Sequence, residues 1–468
     1  MKLEEIIKGT GAEIVYGSAA TEVSAICSDS RKVSAGALFV AVKGCALDGH
    51  AFIDAALGNG AAAVISADRR GLALCADNFY SHPSRSLKLV GITGTNGKTT
   101  TVTLLYRLFR ELGYKCGLLS TIANYVGERR SETANTTADP ITINSLLAEM
   151  VDEGCDYCFM EVSSIGVEQE RVAGLNFTVG IFSNLTHDHL DYHGTFAEYL
   201  RCKKLFFDSL GEKATAITNI DDRNGEVMLQ NTRARKVTYS CRAIGDHTCR
   251  ILEQGFDGML LKIDGVEAWT RLIGQHNAYN ILAIYSAAIA LGAAPQETLV
   301  AISKLESAPG RLENIRGPKG ISVIVDYAHT PDAMENVLGT LREIAPKRTL
   351  VCLFGCGGDR DRTKRPEMAA VAEKMADRIF VTSDNVRTEN PDTIMSDIRS
   401  GLSAKGLAKA IFITDRREAI RTAILTAPEN STVLLAGKGH EDYQIIGKEK
   451  FHFDEKEIVR ETFESMTA

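Results

Sequence analysis

The sequence predicts an α/β protein of three domains, on three observations. The apolar run Leu87 to Ile92 passes through a glycine-rich turn, Gly94-Thr-Asn-Gly97, into a helix opened by Lys98-Thr99-Thr100. From Gly310 onward, apolar strands (Ile321–Val325, Leu350–Phe354, Ile379–Val381, Ala410–Ile413 and Val433–Leu435) alternate with helical stretches, the pattern of a parallel, Rossmann-like sheet. A length of 468 residues suits about three domains, each with its own core. The divisions fall at residues 1–86, 87–309 and 310–468: an α/β opening unit, a central phosphate-loop parallel sheet and the Rossmann-like unit.

Composition narrows the functional classes. Hydrophobic content of 44% with 24% charged residues is ordinary for a globular protein. The start, Met1-Lys-Leu-Glu-Glu5, lacks an apolar signal core, and no apolar stretch is long enough to cross a bilayer, so a cytoplasmic protein without membrane insertion is expected. The 11 cysteines sit mostly in apolar runs (Cys75, Cys158, Cys352), as buried small hydrophobes do in a reducing compartment. Cys155-Asp-Tyr-Cys158 has no second pair to complete a zinc site. A net charge of −7 argues against bulk nucleic-acid binding, so anionic ligands must be met by local Lys and Arg.

The stretch from Leu87 reads as a phosphate-binding loop. Gly94 and Gly97 let backbone N–H groups turn onto phosphate oxygens, and the helix N-terminus adds its partial positive charge. Lys98 would reach the β- and γ-phosphates of ATP, and the Thr99 hydroxyl would hold Mg²⁺. The helix carries Val102, Leu105, Phe109 and Leu112 on its apolar side and stops at Gly113. The spacing departs from G-x-x-x-x-G-K-[ST], because Ile92 stands five before Gly97. A ligand-free turn is the bland alternative; Lys-Thr at a helix start after a wholly apolar strand favours the ATP site.

The opening unit places strands at Ala37–Val42 and Ala61–Ile65 around a helix from Phe52 to Leu57, with Tyr80–Ser84 as a linker. Ser28-Asp-Ser-Arg31 could grip a nucleotide base or phosphate, or could simply cap a turn. In the central domain the polar loop Asn135-Thr-Thr-Ala-Asp-Pro140 leads to a helix, Ile141–Glu153, and a strand, Tyr157–Met160, ending in Glu161-Val-Ser-Ser164. A carboxylate there belongs to a Mg²⁺-facing acid, which marks Glu161. The strand Val179–Phe182 runs into a loop with three histidines and two aspartates, of which His189 is the candidate for a second Mg²⁺. Zinc is disfavoured for lack of cysteine partners. Lys203 stands in an unusually apolar setting, before Leu205-Phe-Phe207. Short strands fill Ala214 to Ile273, and a core-facing helix spans Asn277–Leu291. In the third domain, polar clusters follow the strand ends: Asp326–Asp332, Gly355–Arg360, Asp384–Arg387 and Gly437–Asp442. Loops converging on that edge suit a small polar substrate.

These residues together resemble the Mur ligase family of bacterial cell-wall synthesis, over the whole chain and in the same order. The matching stretches are Asp29-Ser-Arg31, Gly94-Thr-Asn-Gly-Lys-Thr-Thr100, Asn135-Thr-Thr137, Glu161-Val-Ser-Ser164, Asp188-His-Leu-Asp-Tyr-His193, His276-Asn277 with Asn280, Gly310-Arg311, Asp326–Asp332 and Gly437-Lys-Gly-His-Glu441. The nearest branch adds the third amino acid to UDP-N-acetylmuramoyl-L-Ala-D-Glu in peptidoglycan synthesis. The resemblance implies an ATP- and Mg²⁺-dependent ligase acting through an acyl phosphate, with Lys98, Glu161, His189 and Lys203 at the reaction centre and a monomeric protein.

By the same resemblance, Ser28 and Ser30 contact uridine; Asn135, Thr136, Thr137, Ser163, Gln169 and Arg171 contact the muramoyl dipeptide. ATP contacts are implied for Gly94, Thr95, Asn96, Gly97, Lys98, Thr99, Thr100, Asn280, Arg311 and Asp326. The family's lysine in Tyr-x-x-x-Lys, here Tyr199 to Lys203, is carbamylated and bridges metals. Arg360, Asp384, Asn385, Arg387, Gly437 and Glu441 match the amino-acid contacts. Arg at position 387 is the mark of members selecting meso-diaminopimelate, whose extra carboxylate suits a guanidinium fork, while lysine-adding members tend to lack it. Two positions depart from the family: Ile165 replaces a histidine, and Val386 replaces the proline of Asp-Asn-Pro-Arg, removing a rigid φ. Folylpolyglutamate synthetase shares the loop and the chemistry but lacks the opening uridine unit and the Asp-Asn-x-Arg loop. A non-catalytic ATP-gated binding protein would need no converging amino-acid loops.

Overall fold

The computed structural model describes residues 1–44, 48–186, 188 and 190–467. The chain forms two compact units: Met1–Leu185 with His193–His247 and Leu282–Ala301, and Thr186–Tyr192 with Thr248–Ile281 and Ile302–Ala468.

In the first unit, residues 1–86 build a small sheet in which Ala37–Val42 lies parallel to both Ala25–Cys27 and Ala63–Ala67, while Glu13–Tyr16 pairs antiparallel at the edge. The period-two alternation of Ala37–Val42 sends Leu38 and Val40 to one face, against Leu3, Ile6 and Cys75, and Phe39 and Ala41 to the other, against Ala56 and Val33. A helix at Arg69–Phe79, capped by Asp68 accepting from the Gly71 N–H, follows. The expected linker is instead packed: Ser81 and His82 adopt positive φ, Pro83 and Ser84 are buried, and the Ser84 hydroxyl accepts from the Asn176 N–H.

The larger sheet of this unit carries parallel strands in the order Arg235–Ser240, Thr215–Asn219, Phe177–Phe182, Lys88–Thr93, Tyr157–Glu161 and Cys116–Leu119. Burial on both faces explains why Phe177–Phe182, Lys88–Thr93 and Tyr157–Glu161 read as largely apolar runs. Two short antiparallel strands, Asn124–Val126 and Arg129–Ser131, finish that edge. Lys88–Thr93 is thus central, and its C-terminal end opens between strands that supply Glu161 and Ser183.

In the second unit a meander of three antiparallel strands, His247–Gly255, Gly258–Ile263 and Val266–Thr270, precedes the Rossmann-like sheet. That sheet orders Glu313–Arg316, Ser322–Asp326, Thr432–Ala436, Leu350–Phe354, Arg378–Val381 and Ala410–Phe412, parallel except for the first strand, which pairs antiparallel. Alternate residues divide between two cores. Ile324, Cys352, Phe354, Ile379 and Leu434 pack on Met334, Leu338, Met368 and Ile398; Val323, Val325, Leu353, Phe380 and Leu435 pack on Ile420, Ile424, Ile458 and Phe463. Elements absent from the sequence analysis include the helix Arg69–Phe79, the edge strand Glu313–Arg316 and a hairpin of Tyr443–Ile446 and Glu449–His452. No described helix is long and apolar enough to cross a membrane.

Candidate functional site

At the phosphate loop, Gly94 has φ +155° and Gly97 φ +86°, backbone states that only glycine adopts freely. A Cβ on Gly94 would stand 1.9 Å from the Ser183 hydroxyl oxygen. The loop is held from the neighbouring strand end: the Thr95 N–H donates to the Asn184 carbonyl (2.8 Å), the Asn96 N–H to Asn184 Oδ1 (2.9 Å), and the Ser183 hydroxyl to the Asn96 carbonyl (2.7 Å). The Thr95 and Tyr199 hydroxyls are 3.1 Å apart. Lys98 is half-buried and folds back, its Nζ donating to the Gly94 and Thr95 carbonyls at 2.9 Å each. Lys203, 1% exposed, donates from Nζ to the same Gly94 carbonyl at 2.8 Å and lies 4.5 Å from the Tyr199 ring centroid. Two ammonium groups converging on one oxygen concentrate positive charge where an anion would bind. Thr99 and Thr100 are buried at the first helical turn.

Glu161 ends the strand beside Ile92 and is buried. Its Oε1 accepts from the Thr121 N–H (2.8 Å) and hydroxyl (3.0 Å), whereas Oε2 is buried with no hydrogen-bond partner among the described residues. An orphaned carboxylate oxygen near a Thr-headed phosphate loop suits Mg²⁺, which binds through one or two carboxylates plus phosphate oxygens and waters. The residues present therefore fit that ion. His189, the other expected ligand, lies outside the described residues.

Around Glu161 the expected dipeptide contacts interlock. Thr137 Oγ1 donates to the Glu161 carbonyl (2.9 Å) and lies 3.0 Å from Ser163 Oγ, which also accepts from the Gly166 N–H (3.0 Å). Arg171 donates to the Thr137 carbonyl and to Gln169 Oε1. The Thr121 hydroxyl links Thr136 to Glu161, and Asn135 is exposed. In the opening unit, Ser28 is exposed and Ser30 buried. Asp29 accepts from the Arg31 backbone and guanidinium, which hold its carboxyl down at about 2. The turn-capping reading thus describes Asp29 and Arg31.

In the second unit, Asn280 Nδ2 donates to Asn277 Oδ1 (3.0 Å). Arg311 stacks with its guanidinium carbon 4.8 Å from the Tyr327 ring centroid, and its Nε is buried with no hydrogen-bond partner among the described residues. Asp326 uses both carboxylate oxygens on the backbone, accepting from the Leu312 and Ala328 N–H groups at 2.8 Å each, and thereby fixes the Arg311 loop. Burial pushes the His276 and His440 imidazoles down to about 4, with the nearby Arg311 charge adding to the effect. Gly310 and Gly439 touch through backbone: a Cβ on Gly310 would lie 2.1 Å from the Gly439 carbonyl carbon, and one on Gly439 would lie 2.7 Å from the Gly310 oxygen.

The loops at the Rossmann-like sheet's C-terminal edge meet as expected. Arg387 sits at φ +51°, held by its N–H donating to the Ile445 carbonyl and its carbonyl accepting from the Gly447 N–H. The hairpin therefore grips this loop. One guanidinium nitrogen, Nη1, donates to the Gly358 carbonyl (2.8 Å) and lies 3.4 Å from the Asn385 carbonyl; the Nε–Nη2 edge makes no hydrogen bond among the described residues. Asn385 Nδ2 donates to Glu441 Oε2 (2.8 Å). Asp384 is buried, Gly437 takes φ +118° beside it, and Arg360 is exposed. Arg365, buried, ties the Gly357 carbonyl to Glu389 and Asp397. Arg416, buried against Glu455, donates to the Ser383 and Ala436 carbonyls, bracing two of the loops from behind.

Residues that the sequence reading left without a role prove central here: Thr121, Ser183, Asn184 and Lys438. Of these, Asn184 carried a local signal, a side-chain amide at a strand end.

Comparison with known proteins agrees with this arrangement. Family models described as Mur ligase family, catalytic domain; Mur ligase middle domain; and Mur ligase, glutamate ligase domain match residues 22–88, 92–290 and 310–439. The UDP-N-acetylmuramoyl-L-alanyl-D-glutamate–2,6-diaminopimelate ligase of Phocaeicola vulgatus is 49% identical, with 99% of each chain covered, and that of Parabacteroides distasonis is 47% identical at the same coverage. A solved structure of a ligase of the same name superposes with a TM-score of 0.71 at 31% identity, covering 100% of this chain and 99% of that one. With matches spanning the whole chain, the protein belongs to the Mur ligase family.

Proposed function

We infer that this protein is an ATP-dependent ligase that adds meso-2,6-diaminopimelate to UDP-N-acetylmuramoyl-L-Ala-D-Glu in peptidoglycan synthesis, acting in the cytoplasm as a monomer. The observation that carries the choice of amino acid is the unpartnered Nε–Nη2 edge of Arg387, a two-pronged donor for the distal carboxylate that lysine lacks. Glu441, with Oε2 on Asn385 and Oε1 making no hydrogen bond among the described residues, suits the distal ammonium. Residues 1–86 take the uridine end through Ser28 and Ser30, residues 87–309 the phosphates and dipeptide, and residues 310–468 the amino acid.

In this reading the backbone N–H groups of Gly94–Gly97 and the Lys98 ammonium cradle the ATP phosphates. The D-Glu side-chain carboxylate attacks the γ-phosphorus, giving an acyl phosphate and ADP; the amine of the third amino acid then attacks the acyl carbon, loses a proton and expels inorganic phosphate. Thr99 and Glu161, with His189 and a carbamylated Lys203, would hold Mg²⁺, which when bound offsets charge on the transferring phosphoryl group. Thr136, Thr137, Ser163, Gln169 and Arg171 orient the dipeptide so that its carboxylate meets the phosphate in line. The test is phosphate release that requires both the UDP-dipeptide and an amino acid, screened with meso-diaminopimelate, L-lysine and L-ornithine. Release with lysine as the preferred substrate would overturn the amino-acid assignment.

A further inference from the structure

Lys438 stands in the same pocket but touches no place a substrate could reach. Its side chain is fully buried, and its Nζ meets Tyr443 O at 2.6 Å, Asn385 Oδ1 at 3.0 Å and Glu441 Oε2 at 3.3 Å. Those acceptors use all three N–H donors of an ammonium. Asp384 Oδ1 lies 3.4 Å away, at ion-pair distance but outside hydrogen-bond geometry. Taking a lysine out of water is costly, and a well-packed apolar side chain of similar volume commonly gives equal or better stability. A stability role alone does not account for this charge.

Its effect on the neighbours does. Asn385 Oδ1 accepts from both Lys438 Nζ and the Ile445 N–H (2.9 Å), so the amide can point only one way. Nδ2 is thereby committed as a donor toward Glu441 Oε2. Glu441 is clamped through Oε2 by Lys438 and Asn385, while its Oε1 makes no hydrogen bond among the described residues. The charge also matters: Lys438 Nζ lies 3.4 Å from Asp384 Oδ1 and 3.3 Å from Glu441 Oε2, so its ammonium offsets part of the negative charge that the two carboxylates bring together.

We propose that Lys438 is a positioning residue that sets the pocket's preference for an amino acid carrying a distal ammonium, by orienting Asn385 and Glu441 and balancing Asp384. The proposal rests on the diaminopimelate reading above, and it concerns the amine end, whereas Arg387 concerns the carboxylate.

The experiment compares meso-diaminopimelate with 2-aminopimelate, the same chain lacking only the distal amine, in the unaltered enzyme and in Lys438→Met. The unaltered enzyme should favour diaminopimelate about a hundredfold in kcat/KM, as expected for a charge-assisted contact; in the variant that ratio should fall at least about tenfold, with KM for ATP and for the UDP-dipeptide little changed. A role in folding alone would lower turnover of both amino acids equally and leave the ratio unmoved, which would overturn the proposal. Should Lys438→Met not fold, Lys438→Arg carries the test. It keeps the charge, but its planar fork cannot meet three acceptors arranged around a single nitrogen, and the ratio should fall likewise. Failure of both variants to fold would also overturn a separable positioning role. If the unaltered enzyme does not prefer diaminopimelate, the substrate reading itself fails; if it does and the variants keep the ratio, only the role of Lys438 fails.

Discussion

Replacing Arg387 by alanine isolates the contact that selects the third amino acid. In the folded protein Nη1 is already committed to the Gly358 carbonyl at 2.8 Å, while Nε and Nη2 form an open fork. The lost contact to the substrate is a bidentate, charge-assisted pair worth roughly 3 kcal/mol, or about a hundredfold in kcat/KM for diaminopimelate. The backbone at φ +51° adds a separate effect, because alanine is strained there by about 1 kcal/mol and glycine is not. Arg387→Gly therefore serves as the companion variant, with the same loss of selectivity and without the strain. Lys at this position keeps a charge but offers no fork, and an intermediate loss of about tenfold is expected. Steady-state phosphate release with each amino acid measures all three variants, with KM for ATP as the internal control. Equal efficiency of the parent and Arg387→Gly with diaminopimelate would refute the reasoning, as would a parent that prefers lysine.

Three further outcomes follow from the geometry. Lys98→Ala should abolish phosphate release while the circular dichroism spectrum stays unchanged, since the side chain is half-buried at a loop end and its Nζ donates to the Gly94 and Thr95 carbonyls of that loop; retained turnover would remove the ATP assignment. Lys203→Ala should lose activity that added short carboxylates partly restore, as expected if a carbamate on that nitrogen supplies an anion; full activity without supplement would count against it. The thermal midpoint should fall as pH drops from 6.5 towards 4. His276 and His440 titrate near 6.5 in the unfolded chain but at about 4 when buried, so the unfolded state binds protons the native state refuses. The stabilisation is complete above pH 6.5 and is lost on acidification, by about 2 kcal/mol per histidine at pH 5. His440→Gln should flatten that slope, and an identical slope would show that His440 does not carry it.

The Rossmann-like strands Ser322–Asp326, Leu350–Phe354 and Thr432–Ala436 were legible to within about a residue because each is buried along its length, so its apolar run is unbroken and sharply bounded. Glu161 was legible for the same reason, as a carboxylate at the end of such a run. The helix Arg69–Phe79 was not: Gly71 and paired arginines at its start obscure the period, and Asp68 as the cap was its only clear mark. The hairpin Tyr443–His452 escaped because Ile446 and Phe451 are half-exposed and its partner is the Arg387 loop, far away in sequence. Lys438 reads locally as a solvated lysine between glycines. What buries it, Tyr443 and Phe453 with carboxylates from two loops, is a product of tertiary structure.

The backbone contact of Gly310 with Gly439 has a consequence for inhibitor resistance. A compound that hydrogen-bonds to side chains can be evaded by changing those side chains. Here the Gly310 oxygen would lie 2.7 Å from a Cβ at Gly439, and the Gly439 carbonyl carbon 2.1 Å from one at Gly310, so neither position can gain a side chain without parting the loops. An inhibitor anchored on the main chain of these two turns would press on positions from which a bacterium has almost no mutational escape.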